Sequence, residues 1–346
     1  MCKRIVSLLC ALLLAFSLAA GAETSILDFK QAQSGAGNWV ETGLPDTMGK
    51  GGEWYAIALA QQGGYDLSAC REALENYVAG TKVRSATTRQ KLALTLLALG
   101  SEHEFIAATL SDSIGKQGVM SWAWGLHLLN NGCESPDYTA DEAVQTLLSL
   151  RKADGGWAIT GNAADADATA MALQALAPYY QTNDAVKAAV DKALACLSDK
   201  QMDNGGFGSI DGICTESCAQ VIVALTALGI DPETDPRFVK NGVSVVDAMC
   251  LFALEGGGFA HMPNDTINGM ATEQGEYALA SYFRFKNGET SLYDMSDVRL
   301  PDNTPPAPVP APETGDNTAL TLFTAMLLTS AAALAVVLQR KKKYAQ

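Results

Sequence analysis

Apolar residues recur at helical spacing along most of the chain. The pattern is clearest in five segments, 91–99, 143–150, 168–176, 185–197 and 219–228. Few β-branched residues alternate with polar ones, as they would in strands. Several segments end at glycine, and Leu228-Gly229 is followed closely by Pro232, which is typical of a helix end. The pattern predicts an all-α protein.

Three glycine clusters repeat in the second half of the chain, DGGW from 154, NGGF from 204 and GGGF from 256. Each precedes a polar loop and then an acidic residue that begins an apolar helix. Aligning the acids also aligns a small residue two positions later, in the pairs Asp167 and Thr169, Glu216 and Cys218, Glu273 and Gly275. A period of about 50 residues accommodates two helices, so one repeat is predicted to be a helical hairpin.

These glycine–aromatic clusters, followed by acid-x-small-Ala helices, resemble the prenyltransferase and squalene-cyclase repeat. The resemblance implies an α/α toroid over 23–298, with inner helices around a central cavity and outer helices packed behind them. Three segments are most similar to exported bacterial repeat proteins: DADATAMALQALAPYY, TESCAQVIVALTALGIDP and NGMATEQGEYALASYFRF. Those proteins are related in fold to the helical domain of intrinsic factor and transcobalamin, so a cobalamin-type ligand is one expectation.

The first 22 residues have the pattern of a secretory signal peptide. Lys3 and Arg4 precede an apolar run over 5–20, and Ala20-Gly21-Ala22 offers a small-residue cleavage site. The apolar run is shorter than the roughly 20 residues that a membrane span needs. The sequence therefore predicts an exported protein.

The C-terminal segment 311–346 resembles the sorting signal of Gram-positive wall-anchored proteins. A proline-rich linker over 299–310 precedes APETG, an uncharged stretch over 319–338 and a basic tail. The resemblance implies that a sortase-type transpeptidase cuts between Thr314 and Gly315 and joins the chain to the cell wall. Ala311 stands where the family has leucine, and a plain membrane anchor is the alternative. We expect an extracellular, wall- or membrane-anchored protein of a Gram-positive bacterium.

The charge of the chain excludes one class of partner. The formal net charge is −14, and the basic residues do not cluster within the predicted domain, so nucleic-acid binding is not expected. Six cysteines lie between the two predicted signals. Disulfides are allowed in an exported protein, but a domain of this size does not need them, and buried free thiols are an equal alternative.

Two acids are candidates for catalysis, Asp165 and Asp167. In squalene–hopene-type cyclases a DxDD run protonates the substrate through its middle aspartate, and Asp165-Ala166-Asp167-Ala168 keeps the first two acids of that run. Ala168 replaces the last acid. Because glutamate aligns with Asp167 in two other repeats, Asp167 is more simply a residue that begins a helix; Asp165 has no acidic counterpart there.

Metal ligands are a weaker expectation. Protein prenyltransferases of this fold hold zinc with an aspartate, a cysteine and a histidine, and the corresponding candidates here are Asp211, Cys214, Cys218 and His261. No two of them form a closely spaced ligand pair. Zinc is therefore not expected.

Acidic and aromatic residues near the starts of the predicted inner helices form the candidate ligand site: Glu53, Trp54, Tyr55, Trp122, Trp124, His127, Asp167, Glu216, Glu273 and Tyr277. Such a rim suits an amphipathic small molecule, a corrinoid or a peptide better than a diphosphate. The sequence predicts a binding or adhesion module. A degenerate terpene cyclase or prenyltransferase-like enzyme is the alternative.

Overall fold

A computed structural model describes residues 39–209, 212–255, 257–263 and 265–298. The predicted signal peptide, the linker and the sorting signal, with Thr314 and Gly315, lie outside these residues, as does Asp211. In the described part of the chain, no helix combines the length and the apolar character needed to cross a membrane. The uncharged stretch 319–338 lies outside the described residues.

The described residues form twelve α-helices: α1 Trp39–Thr42, α2 Glu53–Gln62, α3 Ser68–Gly80, α4 Ala86–Ala98, α5 Phe105–Ser113, α6 Gly118–Asn130, α7 Ala140–Ser149, α8 Ala166–Leu176, α9 Asp184–Lys200, α10 Thr215–Ala227, α11 Val245–Cys250 and α12 Gly269–Asn287. Two antiparallel pairs of short strands lie in the connections on either side of α10: β1 Gly208–Ser209 with β2 Gly212–Ile213 before it, and β3 Val239–Lys240 with β4 Val243–Ser244 after it. Gly208 lies opposite Ile213, and Val239 opposite Ser244. The helical segments expected from the sequence are confirmed.

The even-numbered helices form a closed ring. Each of α2, α4, α6, α8, α10 and α12 packs against the next, and α12 packs against α2. The odd-numbered helices α3, α5, α7, α9 and α11 lie behind this ring, each packed against at least one inner helix. The protein is an α/α toroid, as expected from the sequence.

Inner and outer helices differ in how their surfaces are buried. In the inner helix α8, nine of eleven residues are buried, whereas in the outer helix α7 only Ala143, Val144 and Leu147 are. Helices that pack on every side need apolar residues all round, and helices exposed on one side need a single apolar face. The core of the molecule therefore follows the inner ring.

The aromatic residue of each glycine cluster is held by a side chain of the next inner helix. The backbone N–H of Trp157 donates to Thr169 Oγ1 over 2.9 Å, and that hydroxyl donates to Trp157 O over 3.0 Å. In the next repeat the N–H of Phe207 donates to Cys218 Sγ over 3.3 Å, and that thiol donates to Phe207 O over 3.6 Å. In the third repeat the N–H of Phe259 donates to Thr272 Oγ1 over 2.9 Å, and that hydroxyl donates to Phe259 O over 3.4 Å. Each buried turn thus satisfies one donor and one acceptor.

This hydrogen-bond pair corrects the alignment of the third repeat. Thr272, not Gly275, is equivalent to Thr169 and Cys218. The position of Asp167 and Glu216 is therefore filled by Met270, and Glu273 lies three residues further along its helix. The alignment on acids was wrong because the loop after Phe259 is longer than its counterparts. Gly275 has another role, since a Cβ there would lie 2.6 Å from the Phe259 ring.

Glycine is needed where the turn of one repeat meets the next repeat. Gly205 has a φ of +84°, and a Cβ at this position would lie 2.7 Å from the carbonyl oxygen of Val243. Both the backbone conformation and the lack of space favour glycine. The glycine clusters are therefore packing features of the hairpin junctions.

Thr169→Val should destabilise the fold by about 1–3 kcal/mol, because it leaves the buried N–H of Trp157 without its partner, while Trp157 O keeps only its bond from the N–H of Asp165. Thr169→Ser keeps the hydroxyl and should cost only roughly 1 kcal/mol for the lost methyl group. Urea unfolding monitored by circular dichroism measures both. Equal losses in the two variants would contradict the role given to the hydrogen-bond pair.

Candidate functional site

Aromatic side chains fill the centre of the ring. Trp54 of α2 lies 5.1 Å from Tyr277 of α12 and 6.1 Å from Trp124 of α6, measured between ring centroids. Tyr293, which follows α12, lies 5.6 Å from Trp124 and 4.5 Å from His127. These five residues form a continuous aromatic column. A cavity adjoins each end of the column.

A chain of buried glutamines crosses the ring beside the aromatic column. Gln174 Nε2 donates to Gln220 Oε1 over 3.0 Å, and Gln220 Nε2 donates to Gln274 Oε1 over 3.0 Å. Gln220 Nε2 also donates to the hydroxyl of Tyr277. This network was not predicted from the sequence. Its signal was the equivalent position of Gln220 and Gln274, six residues after the residues that cap their helices.

A cavity of about 310 Å³ lies at the C-terminal ends of the inner helices. Its walls come from α6, α8, α10 and the segment after α12, and comprise His127, Asn130, Asn131, Gln174, Ala177, Pro178, Ala227, Ser291, Tyr293 and Asp294. Of these residues, only His127 belonged to the predicted site. Burial lowers the pKa of His127 to about 3, so its imidazole is uncharged at neutral pH.

The segment 288–298, here called the clasp, forms one wall of this cavity. The clasp is bound to the first inner helix, since Gln61 Nε2 donates to the carbonyls of Leu292 and Asp294 over 2.7 and 2.9 Å. Asn131 Nδ2 donates to Tyr293 O over 2.7 Å, and Asn131 Oδ1 accepts the N–H of Met295 over 2.8 Å. The wall is therefore held by both α2 and the end of α6.

Arg284 ties the clasp to α12. Its guanidinium donates to both carboxylate oxygens of Asp297, over 2.9 and 2.8 Å, and to Thr290 O over 3.1 Å. Burial raises the pKa of Asp297, but hydrogen bonds from Thr290 and the charge of Arg284 outweigh it, so that the pKa is lowered overall. The charged form of Asp297 therefore stabilises the closed clasp.

A smaller cavity of about 170 Å³ lies at the opposite, N-terminal rim, lined by Trp54, Thr87, Thr88, Lys91, Trp124 and Met171. Lys91 Nζ lies 2.8 Å from Glu53 Oε2 and 4.7 Å from the centroid of the Trp54 ring. The predicted acidic and aromatic rim thus exists here, but Lys91 neutralises Glu53. This amine was not anticipated from the sequence.

Asp167, Cys214, Glu216, Ser217 and His261 meet at the same rim. His261 Nδ1 lies 2.8 Å from Glu216 Oε2, and Cys214 Sγ donates to Ser217 Oγ over 3.2 Å. One ligand atom each from Cys214, Glu216 and His261 lies within 4.8 Å of the others. Burial raises the pKa of Asp167, and its Oδ1 has no hydrogen-bond partner among the described residues. The cluster combines a thiol, an imidazole and carboxylates.

Three residues of the predicted site have other surroundings. Trp122 packs on Tyr138, which precedes the outer helix α7, with 5.0 Å between ring centroids, and not on the aromatic column. Tyr55 packs on Trp39, 5.4 Å between centroids, rather than on that column. Glu273 accepts the backbone N–H of Trp54 over 3.0 Å, which joins the last inner helix to the first. The acidic and aromatic rim therefore contains fewer residues than the sequence predicted.

Asp165 and Cys218 have structural partners. Asp165 caps α8, because its carboxylate accepts the N–H groups of Ala168 over 2.6 Å and Ile159 over 3.1 Å. Cys214 and Asn268 occupy the equivalent position in the next two repeats. Cys218 is hydrogen-bonded to the backbone of Phe207 and does not belong to the cluster of Cys214, Glu216 and His261. Asp165 thus has counterparts, although they are not acidic.

No family model matches the chain, and no curated protein matches it. Among solved structures, it is similar to ent-copalyl diphosphate synthase from Streptomyces platensis, with 18% sequence identity and a TM-score of 0.45. The match covers 66% of this chain and 49% of that one, so it spans about half of that protein. The toroid is established by the helix packing described above, independently of this similarity.

Asp297→Asn should lower the free energy of unfolding at pH 7 by about 1–2 kcal/mol, because it removes a charged hydrogen-bond partner of Arg284. The folded pKa of Asp297 is lowered, so its contribution is present above the unfolded value of about 3.9 and is lost as pH falls below it. Chemical unfolding of both proteins between pH 7 and 3 should show the difference narrowing with acid. A difference that is constant with pH would contradict the assignment.

Proposed function

We propose that this protein is a binding module whose toroid holds a small organic molecule in the 310 Å³ cavity between the clasp and the C-terminal ends of the inner helices. The observation that carries the proposal is this cavity. It joins polar groups to one end of a buried aromatic column, a combination typical of small-molecule sites.

The volume of the cavity narrows the kind of ligand. Small-molecule sites run from roughly 300 to 1,000 Å³, and this cavity is at the lower end of that range. A corrinoid is larger than the cavity and would insert no more than one substituent; a peptide would insert a terminus or one side chain. The proposal therefore favours a compact ligand over cobalamin.

The walls of the cavity support binding without a large rearrangement. The clasp is joined to three inner helices through Gln61, Asn131 and Arg284. A pre-formed wall lowers the entropic cost of ordering a site around its ligand. The neutral ring of His127 offers one donor and one acceptor, which suits an oriented polar group.

The proposal includes an exported, wall-anchored location. It is supported by the signal-peptide pattern over 1–22 and by the sorting-type order of APETG, apolar stretch and basic tail over 311–346. A sortase-type transpeptidase would then be the partner that attaches the chain at Thr314. In that location the ligand would be captured from outside the cell.

Native mass spectrometry of the protein purified from its own cells should show a retained compact ligand. Ala227→Phe should abolish this retention, because the added ring occupies the cavity. Ala185→Phe, at an exposed position of the outer helix α9, is the matched control and should retain the ligand. A wild-type spectrum without added mass, together with no saturable binding of any small molecule in thermal-shift screening, would remove the proposal.

A second candidate function is a cyclase- or prenyltransferase-like enzyme at the N-terminal rim. The observation that favours it is the group formed by Cys214, Glu216 and His261, whose donor atoms lie within 4.8 Å of one another. Thiolate, carboxylate and imidazole are the ligand types of zinc, and three protein ligands leave a position for a reactant. Bound there, a zinc ion would supply Lewis-acid chemistry.

The second candidate is tested by Co²⁺ titration of the full chain. Thiolate coordination of Co²⁺ gives near-ultraviolet charge-transfer absorption, which we expect for the wild type and not for Cys214→Ser. Cys133→Ser, a partly buried thiol outside the cluster, is the control and should keep the absorption. Absence of the absorption in the wild type would eliminate the metal site whatever the outcome for the cavity.

A further inference from the structure

We infer that the 310 Å³ cavity selects a small organic cation, a protonated or quaternary amine on a compact apolar body. This inference rests on the proposed function and names the class of its ligand. It is carried by the electrostatics of the cavity, which come from three independent sources.

The first source is the direction of the inner helices. Three helices, α6, α8 and α10, end at the cavity, where Asn130, Ala177 and Ala227 form part of its wall. The C-terminal end of a helix carries roughly half a negative charge. Parallel helices around a ring add their ends together, so the cavity lies in a negative potential.

That potential is not neutralised by the helices themselves. The last turns of α2, α4, α8 and α10 contain no basic residue, and that of α6 contains only His127. Burial keeps His127 uncharged at neutral pH. In many helices lysine or arginine occupies the last turn and stabilises it. In these last turns no charged side chain takes that role; the neutral amides of Asn130 and Asn131 donate to the carbonyls of Ala175 and His127.

The second source is the charge of the cavity wall. Asp294 is the charged member of the described lining, and the residue is exposed to solvent. The basic residues of the last turn of α12 are already bound to acids. Arg284 pairs with Asp297, and Lys286 Nζ lies 2.8 Å from Asp231 Oδ2 and 3.0 Å from Glu233 Oε2. An anionic ligand would meet no compensating charge in this lining.

The third source is the aromatic surface. Tyr293 lines the cavity and packs against His127, 4.5 Å between centroids, with Trp124 behind them. Aromatic faces attract ammonium groups, most strongly where water is excluded. Carbonyl dipoles, a carboxylate and an aromatic wall are together the surroundings that recognise an organic ammonium ion.

The test compares three probes of the same shape and different charge: choline, 3,3-dimethylbutan-1-ol and 3,3-dimethylbutanoate. Isothermal titration of the full chain in detergent should show choline binding at least about tenfold more tightly than the neutral alcohol, with no binding of the carboxylate. Added salt should weaken choline binding, since the attraction is electrostatic.

Asp294→Asn is the diagnostic variant. Asparagine keeps the cap on Ser296 N–H, so the clasp should remain folded, while choline affinity should fall several-fold and the affinity for the alcohol should not change. Asp184→Asn, on an exposed turn of α9, removes the same charge elsewhere and should leave choline affinity unaltered.

The outcomes separate this inference from the proposed function. Equal or tighter binding of the alcohol or the carboxylate overturns the choice of a cation and leaves the cavity as a binding site. Failure of all three probes to bind also overturns the inference, while a ligand retained in native mass spectrometry and lost in Ala227→Phe would still uphold the proposed function.

Discussion

The hydrogen-bond pair between each aromatic turn residue and the side chain at the start of the next inner helix is the constraint on which the structure depends. Thr169, Cys218 and Thr272 each hold both backbone groups of the preceding aromatic residue. Because the pair fixes where the chain enters the helix, it sets the same direction for successive inner helices. Parallel inner helices then give the ring two chemically different ends.

Ring closure uses different contacts, because the last inner helix must meet the first. Glu273 accepts the N–H of Trp54 over 3.0 Å at one end of α2, and Arg284 donates to the carbonyl of Gln61 at the other. Residues of α12 thus satisfy backbone groups at both ends of α2 that lie in its first and last turns. The closure explains why Glu273 departs from the repeat: its carboxylate serves the neighbouring helix, not its own.

The sequence was sufficient for the toroid, because glycine, aromatic and small residues recur with the hairpins that they join. It was insufficient for the third repeat, where Thr272 was overlooked in favour of Gly275 because the intervening loop differs in length. Trp122 could not be distinguished from Trp124 by spacing alone; one packs on Tyr138 and the other in the column. The large cavity was missed because the clasp that closes it follows the last repeat and has no periodic signal.

The two ends of the ring differ in whether charged side chains neutralise the partial charges of the helix termini. At the N-terminal rim, Glu53, Asp167 and Glu216 lie in first turns, where the positive ends of their helices stabilise carboxylates. Those acids therefore stabilise the helices in which they lie, so their presence alone is weak evidence for a catalytic role. At the opposite end the helix termini are negative and lack a basic residue in four of six last turns. An uncompensated end with a cavity is the better place to expect a ligand, since the ligand itself supplies the missing charge.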